Sequence, residues 1–189
     1  MARTMRLITG NTGKFKEIRS HLEGKGIDLL QEDFDFVEVQ ADTLEEVVLH
    51  GLQDYTARMG TGVAVMKDDS GLFIDALGGF PGVYSAYVLR TISNKGILKL
   101  MEGVADRGAV FRTAIGMFEP EKGIGIYRGE VRGNITLAER GRLGFGFDPI
   151  FQPVGEGRTF AEMTVADKNT MSHRIRALRS LLDHLGDER

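Results

Sequence analysis

The strongest constraint on the fold lies near the start of the chain. An apolar run with Leu7 and Ile8 enters Thr9-Gly10-Asn11-Thr12-Gly13-Lys14, and an amphipathic stretch with Phe15, Ile18 and Leu22 on one face leaves it. That order is strand, small-residue turn, helix. A helix N-terminus carries unsatisfied N–H groups and partial positive charge, and glycines let an anion approach the backbone. With Lys14 as a full cation, a phosphorylated small molecule is the first ligand to consider. Gly10 stands only four residues before Lys14 and Phe15 follows it, so the spacing is not that of a Walker loop. An ordinary strand-to-helix turn with a surface lysine is the alternative.

The rest of the chain continues in mixed α/β fashion. Strands are expected at residues 6–9 and 27–30, with a helix over 14–23 between them and an extended segment over 34–39. Thr43 and Glu46 have capping-box spacing, and Leu44, Val47, Val48, Leu52, Tyr55 and Met59 recur at helical intervals, so a helix of about four turns follows. Residues 63–66 and 72–74 read as two short strands. A turn cluster covers 78–82 and a helix 94–101. Residues 109–118 and 125–138, flanking a Pro/Gly turn, read as a long hairpin. A final amphipathic helix from about Ser172 puts Ile175, Leu178, Leu181 and Leu182 inward and its arginines, Arg174, Arg176 and Arg179, mostly elsewhere. The 189 residues suit one domain, whole or split into two lobes.

Composition excludes several classes. With no cysteine there is no disulfide, thiolate catalyst or zinc–thiolate site. A net charge of -3 speaks against binding a nucleic-acid polymer, which needs a basic face. No apolar run is long enough to span a membrane and no signal peptide is evident, so a cytoplasmic protein is expected. The 25 glycines point to many tight turns, where small-molecule sites are often built.

Four further groups could carry chemistry. Asp68-Asp69-Ser70-Gly71 sits at a strand end, where a carboxylate suits Mg²⁺, a hard cation that prefers oxygen ligands. Neighbouring strand residues point to opposite faces, so at most one of the two carboxylates aims into a given cleft. An acidic turn is the alternative. Glu38 is a second candidate ligand, or an outward strand glutamate. Gly144-Phe145-Gly146-Phe147-Asp148-Pro149 holds two aromatics that could stack on a nucleobase or fill a core. Asp148 could accept from a base edge or cap the turn. Lys168-Asn169-Thr170-Met171-Ser172-His173-Arg174 packs cations and an imidazole at a helix start. A functional role there needs these residues to meet Lys14 in space.

Taken in order, these segments, together with Pro81-Gly82-Val83-Tyr84-Ser85-Ala86 and Thr159-Phe160-Ala161-Glu162-Met163, resemble the Ham1-like inosine/xanthosine triphosphate pyrophosphatases. The match runs nearly end to end. Glu38 before Gln40 and the helix from Thr43 look most like archaeal members. The resemblance implies an α/β fold: an elongated, two-lobed subunit with a central mixed sheet flanked by helices, an active-site cleft between the lobes, and a homodimer. It implies Mg²⁺-dependent hydrolysis of non-standard purine nucleoside triphosphates (ITP, dITP, XTP) to the monophosphate and pyrophosphate, which cleanses the nucleotide pool.

By the same resemblance, Thr9, Gly10, Asn11, Thr12, Gly13 and Lys14 bind the triphosphate. Asp69 is the general base and, with Glu38, a metal ligand, and Ser70 touches substrate. Phe145 stacks on the base, with Gly146, Phe147 and Asp148 lining that pocket. Lys168, His173 and Arg174 complete base and phosphate recognition. Three positions depart from the family pattern. Asp68 stands where Glu is usual, Phe147 where Trp or Tyr is common, and Gln53 near the place of a frequent lysine. A Maf-like pyrophosphatase acting on modified pyrimidine nucleotides and a non-catalytic nucleotide sensor are the competing readings.

Overall fold

The order of elements is set by alternating strand and helix patterns. In the computed structural model, which describes residues 3–37, 39–60 and 62–187, β1 (Arg3–Ile8) is followed by α1 (Thr12–Leu22), β2 (Ile27–Glu32), α2 (Leu44–Met59) and β3 (Val65–Ile74). Then come α3 (Ser85–Thr91), α4 (Ser93–Leu100), β4 (Gly108–Glu119), β5 (Gly123–Ile135), β6 (Phe151–Pro153), α5 (Val165–Asn169) and α6 (His173–Asp187). The strands form one sheet in the order β2-β1-β3-β4-β5-β6. β1 pairs in parallel with β2, from Arg3 opposite Ile27 to Ile8 opposite Glu32, and in parallel with β3 at Arg6–Val65 and Leu7–Met66. β5 and β6 pair antiparallel. The sheet is mixed, as the strand patterns require.

Two compact units divide the chain. The first draws on Met1–Asp69, Thr113–Gly129 and Arg174–Arg189, the second on Ser70–Arg112 and Glu130–His173. In the first, one sheet face carries Met5, Leu7, Leu29, Met66, Ile115 and Met117 into a core closed by Ile18 and Leu22 of α1 and Ile175, Leu178 and Leu181 of α6. α2 covers the other face, where a side chain at Gly116 would run into Val48 and Leu52. In the second, Leu72, Ile74, Val88, Ile97, Phe111, Phe151 and Phe160 form a separate core. Phe111 meets Phe151 edge-on, with centroids 4.6 Å apart.

Three elements differ from the sequence pattern. Residues 33–37 form no strand. β2 is already the sheet edge, and instead the Phe34 ring packs edge-on against Phe36 at 4.9 Å and against Tyr55 of α2 at 5.0 Å. The alternation that suggested a strand reflects aromatic anchoring to a helix. The two short strands expected at 63–66 and 72–74 are one ten-residue strand, β3. Gly71 keeps it continuous, because the Gly82 carbonyl occupies the space a Cβ would need. The short elements α3, β6 and α5 carry too few residues for periodicity to reveal them.

The capping box at α2 is present as expected. Thr43 Oγ1 accepts from the Glu46 N–H at 3.2 Å, and the Glu46 carboxylate accepts from the Thr43 N–H at 3.0 Å. The Thr43 hydroxyl and the backbone N–H groups of Thr43 and Asp42, all donating to it, hold the Glu46 carboxyl below its usual range. Thr43→Ala is expected to destabilise the protein by about 1 kcal/mol, read as a lower urea midpoint at unchanged slope.

Candidate active site

In the first unit, the turn after β1 begins with local hydrogen bonds. Thr9 Oγ1 accepts from the Asn11 N–H at 3.1 Å. Asn11 is the N-cap of α1, and its Oδ1 accepts from the N–H groups of Gly13 at 2.9 Å and Lys14 at 3.1 Å. Two of the helix's first donors are therefore already used within the turn. Gly10, Asn11 and Thr12 are exposed; Thr9, Gly13 and Lys14 are partly so.

Lys14 reaches inward from this turn to β3. Its Nζ donates to the Asp68 carbonyl at 3.2 Å and lies 3.4 Å from the Asp68 carboxylate and 3.8 Å from that of Asp69. The acidic pair therefore sits in mid-strand rather than at a strand end. Strand alternation separates the two. Asp68 shares the face of Met66 and is buried among α1 and α6, whereas the Asp69 side chain keeps 24% exposure.

Asp68 is held by a buried ion-pair network. Arg174 Nε donates to Asp68 Oδ2 at 3.0 Å, and Arg174 Nη1 pairs with the carboxylate of Glu17 on α1. All three side chains are buried. Burial would push the Asp68 carboxyl up, but Lys14 and Arg174 outweigh it and hold it below its usual range. Burial would likewise lower the Arg174 guanidinium, and Glu17 and Asp68 raise it instead. Arg174 is thus not on the outer side of α6. The charged residue turns inward because two buried carboxylates need it. Asp68 Oδ1 is buried with no hydrogen-bond donor among the described residues.

The second unit holds the aromatic loop. Asp148 is buried and accepts from the Phe145 N–H at 2.9 Å and from Lys168 Nζ at 2.6 Å. Lys168 Nζ also stands 4.9 Å from the Phe145 ring centroid and 5.1 Å from that of Phe160. Phe145 is half-buried and Gly146 is partly exposed, its carbonyl accepting from Asn94 Nδ2 at 3.2 Å. Phe147 belongs to the core, which fits a residue lacking a polar handle. His173 is buried and stacks on Phe111, with centroids 4.6 Å apart and planes 10° from parallel.

The structure thus gathers Lys14, Asp69 and Arg174 of the expected residues in the first unit, and Phe145, Asp148, Lys168 and His173 in the second. Ser70 opens the second unit's part of β3, half-buried. Glu38 lies outside the described residues. Among those described, no cluster of three or more histidines and acidic residues could by itself hold a metal ion. Gln53 is exposed on α2. Sequence reasoning missed Glu17. The available signal was an acid beside Ile18 on the inward face of α1, one turn after Lys14.

Comparison with known proteins bears on these clusters. Residues 5–184 match the model of the Ham1 family. The chain belongs to that family. It is 49% identical over 178 residues to a dITP/XTP pyrophosphatase of Thermococcus kodakarensis, which covers 94% of this chain and 95% of that one. It is 48% identical over 170 residues to a dITP/XTP pyrophosphatase of Methanopyrus kandleri, covering 90% and 89%. The fold matches the Staphylococcus aureus Ham1 protein with TM-score 0.84 and 29% identity, covering 99% of this chain and 100% of that one. A HAM1 protein from Coxiella burnetii matches with TM-score 0.82 and 30% identity, covering 98% and 99%. Among the described residues, no helix of this family member is long and apolar enough to cross a membrane.

The buried network yields a stability prediction. Arg174→Met removes the guanidinium that Glu17 and Asp68 share in the interior and is expected to lose about 3–5 kcal/mol in urea denaturation. The depressed Asp68 carboxyl also fixes a pH trend. Its stabilisation is complete above the unfolded-state value of 3.8 and is lost as pH falls through the lower folded value. Asp68→Asn should therefore flatten the acid limb of the stability curve measured in a chelating buffer.

Proposed function

We propose that this chain hydrolyses non-standard purine nucleoside triphosphates, of the dITP and XTP kind, to the nucleoside monophosphate and pyrophosphate. The observation that carries the reading is the meeting of the turn after β1 with β3. Lys14, 54 residues before Asp68 in sequence, lies 3.8 Å from the Asp69 carboxylate. In this reading Lys14 is the cation that neutralises phosphate, and Asp69, partly exposed beside it, is the general base. The names of the family relatives supply the substrate class.

The reaction needs a water to attack the α-phosphorus while the bond to the bridging oxygen of pyrophosphate breaks. Such chemistry is mostly positioning and charge neutralisation. Asp69 accepts the water's proton, and its partial exposure gives that water access. Lys14 takes phosphate oxygens, and the backbone of Thr9, Gly10, Asn11, Thr12 and Gly13 lines the same turn. Arg174 acts through Asp68. It fixes that carboxylate on one face of β3, so that Asp69 is presented on the other.

A divalent cation fits the donor set. Asp69 offers hard carboxylate oxygens, partly exposed on its face of β3. Asp69 and Glu38 would hold the ion, with Mg²⁺ proposed. When bound it would neutralise charge building on phosphate oxygens.

The second unit's cluster takes the base in this reading. Phe145 offers a ring face for stacking, on a loop fastened by Asp148 and Lys168, and Gly146 leaves the ring's surroundings uncrowded. Phe147 and His173 back the loop from the core, and Ser70 contacts the phosphate end. A site built to donate to the 6-oxo group leaves adenine's amino group unmatched, which discriminates more strongly than shape. A homodimer in the cytoplasm is part of the proposal.

A nucleotide panel with Mg²⁺ tests the reading. dITP and XTP should release pyrophosphate rather than orthophosphate, far faster than ATP or dUTP. Asp69→Asn should lower kcat by about 100-fold or more while dITP still binds. Near-normal turnover by that variant would remove Asp69 as the base. Faster hydrolysis of dUTP than dITP would favour the pyrimidine alternative.

A further inference from the structure

Lys67 has no part in the machinery described so far. It precedes Asp69 by two residues on β3, so both side chains leave on the same face of the strand. That is the face covered by α2. There the Lys67 stem crosses the helix at Gly51, where a Cβ would collide with Lys67 Cδ and Cε. A Cβ at position 51 would displace the end of the Lys67 side chain from this path. Lys67 Nζ then lies 3.8 Å from the centroid of the Phe36 ring. Among the described residues its ammonium donates no hydrogen bond and makes no ion pair.

A partly buried lysine whose ammonium rests on an aromatic face, with no acidic partner among the described residues, calls for a reason. A lysine serving only to cover Phe36 would keep its head in water. Lys14, Lys67 and Arg174 share the first unit with Glu17, Asp68 and Asp69. Among the described residues, Lys67 is the cation of this cluster with no carboxylate in contact. A compact charge on a flexible stem is suited to a phosphate oxygen.

We propose that Lys67 binds the triphosphate tail of the substrate, taking a phosphate oxygen on the α2 side of Asp69 while Lys14 takes another on the side of the turn. This rests on the pyrophosphatase reading above and adds to it a residue of binding rather than of chemistry. Gly51 is the permissive partner, because it gives the lysine its route past α2.

The test uses Lys67→Met, which keeps an apolar stem over Gly51 and Phe36 and removes the charge. Steady-state kinetics with dITP should show KM raised roughly tenfold with kcat little changed, the worth of one charge-assisted hydrogen bond. Calorimetry with pyrophosphate and Mg²⁺ should show Kd weakened by a similar factor, and Lys67→Arg should recover much of the loss in both. The thermal midpoint should not fall. Unchanged KM and pyrophosphate Kd in Lys67→Met would overturn the proposal. So would a loss confined to kcat, or a wild-type protein that does not bind pyrophosphate. A wild type that binds pyrophosphate but turns over no purine triphosphate would sink the pyrophosphatase reading instead, and the calorimetry would still judge Lys67.

Discussion

The Glu17–Arg174–Asp68 network is the constraint around which the first unit is organised. It ties α1, α6 and β3 together through groups that have left water entirely. Such a network is costly to build and still more costly to break, because each missing member strands a charge in a medium that solvates it poorly. Apolar contacts among Met66, Ile18 and Ile175 would tolerate some slippage of one helix along the strand. A guanidinium shared between two carboxylates does not. The register of α1 and α6 against β3 is accordingly fixed by charge as well as by packing.

That fixation matters because two consecutive acids have opposite duties. Asp68 is consumed internally by Arg174 and Lys14, and Asp69 is left partly open to solvent. Strand geometry enforces the separation without any special backbone. Lys14 bridges the two environments, touching the Asp68 carbonyl and standing near both carboxylates. Its position depends in turn on the Asn11 cap, which sets where α1 begins.

Much of this was legible in the residues. Long periodic segments such as α2 and α6 declared themselves through their apolar spacing, and the Thr43–Glu46 box through its polar one. The separated motifs, taken in order, pointed to the family. What stayed hidden had a physical reason. The aromatic residues at 34 and 36 alternate like a strand, yet their rings pack on each other and on Tyr55 of α2 instead of on a sheet face. Gly71 looked like a break between two strands and is instead the residue that lets the Gly82 backbone approach one continuous strand. Arg174 looked solvated because its inward partners, Glu17 and Asp68, are 157 and 106 residues away in sequence. Lys67 gave a weak signal, a cation between an apolar run and an acidic pair, whose meaning emerges only with Gly51 beside it.

The aromatic loop of the second unit is closed on itself. Gly144 adopts φ 71°, and a side chain there would strike the Asp148 carboxylate that Lys168 and the Phe145 N–H hold in place. The loop is therefore set when the chain folds. Under the proposed role of Phe145, a flat ring would meet a surface already assembled, with little freedom left to lose on association.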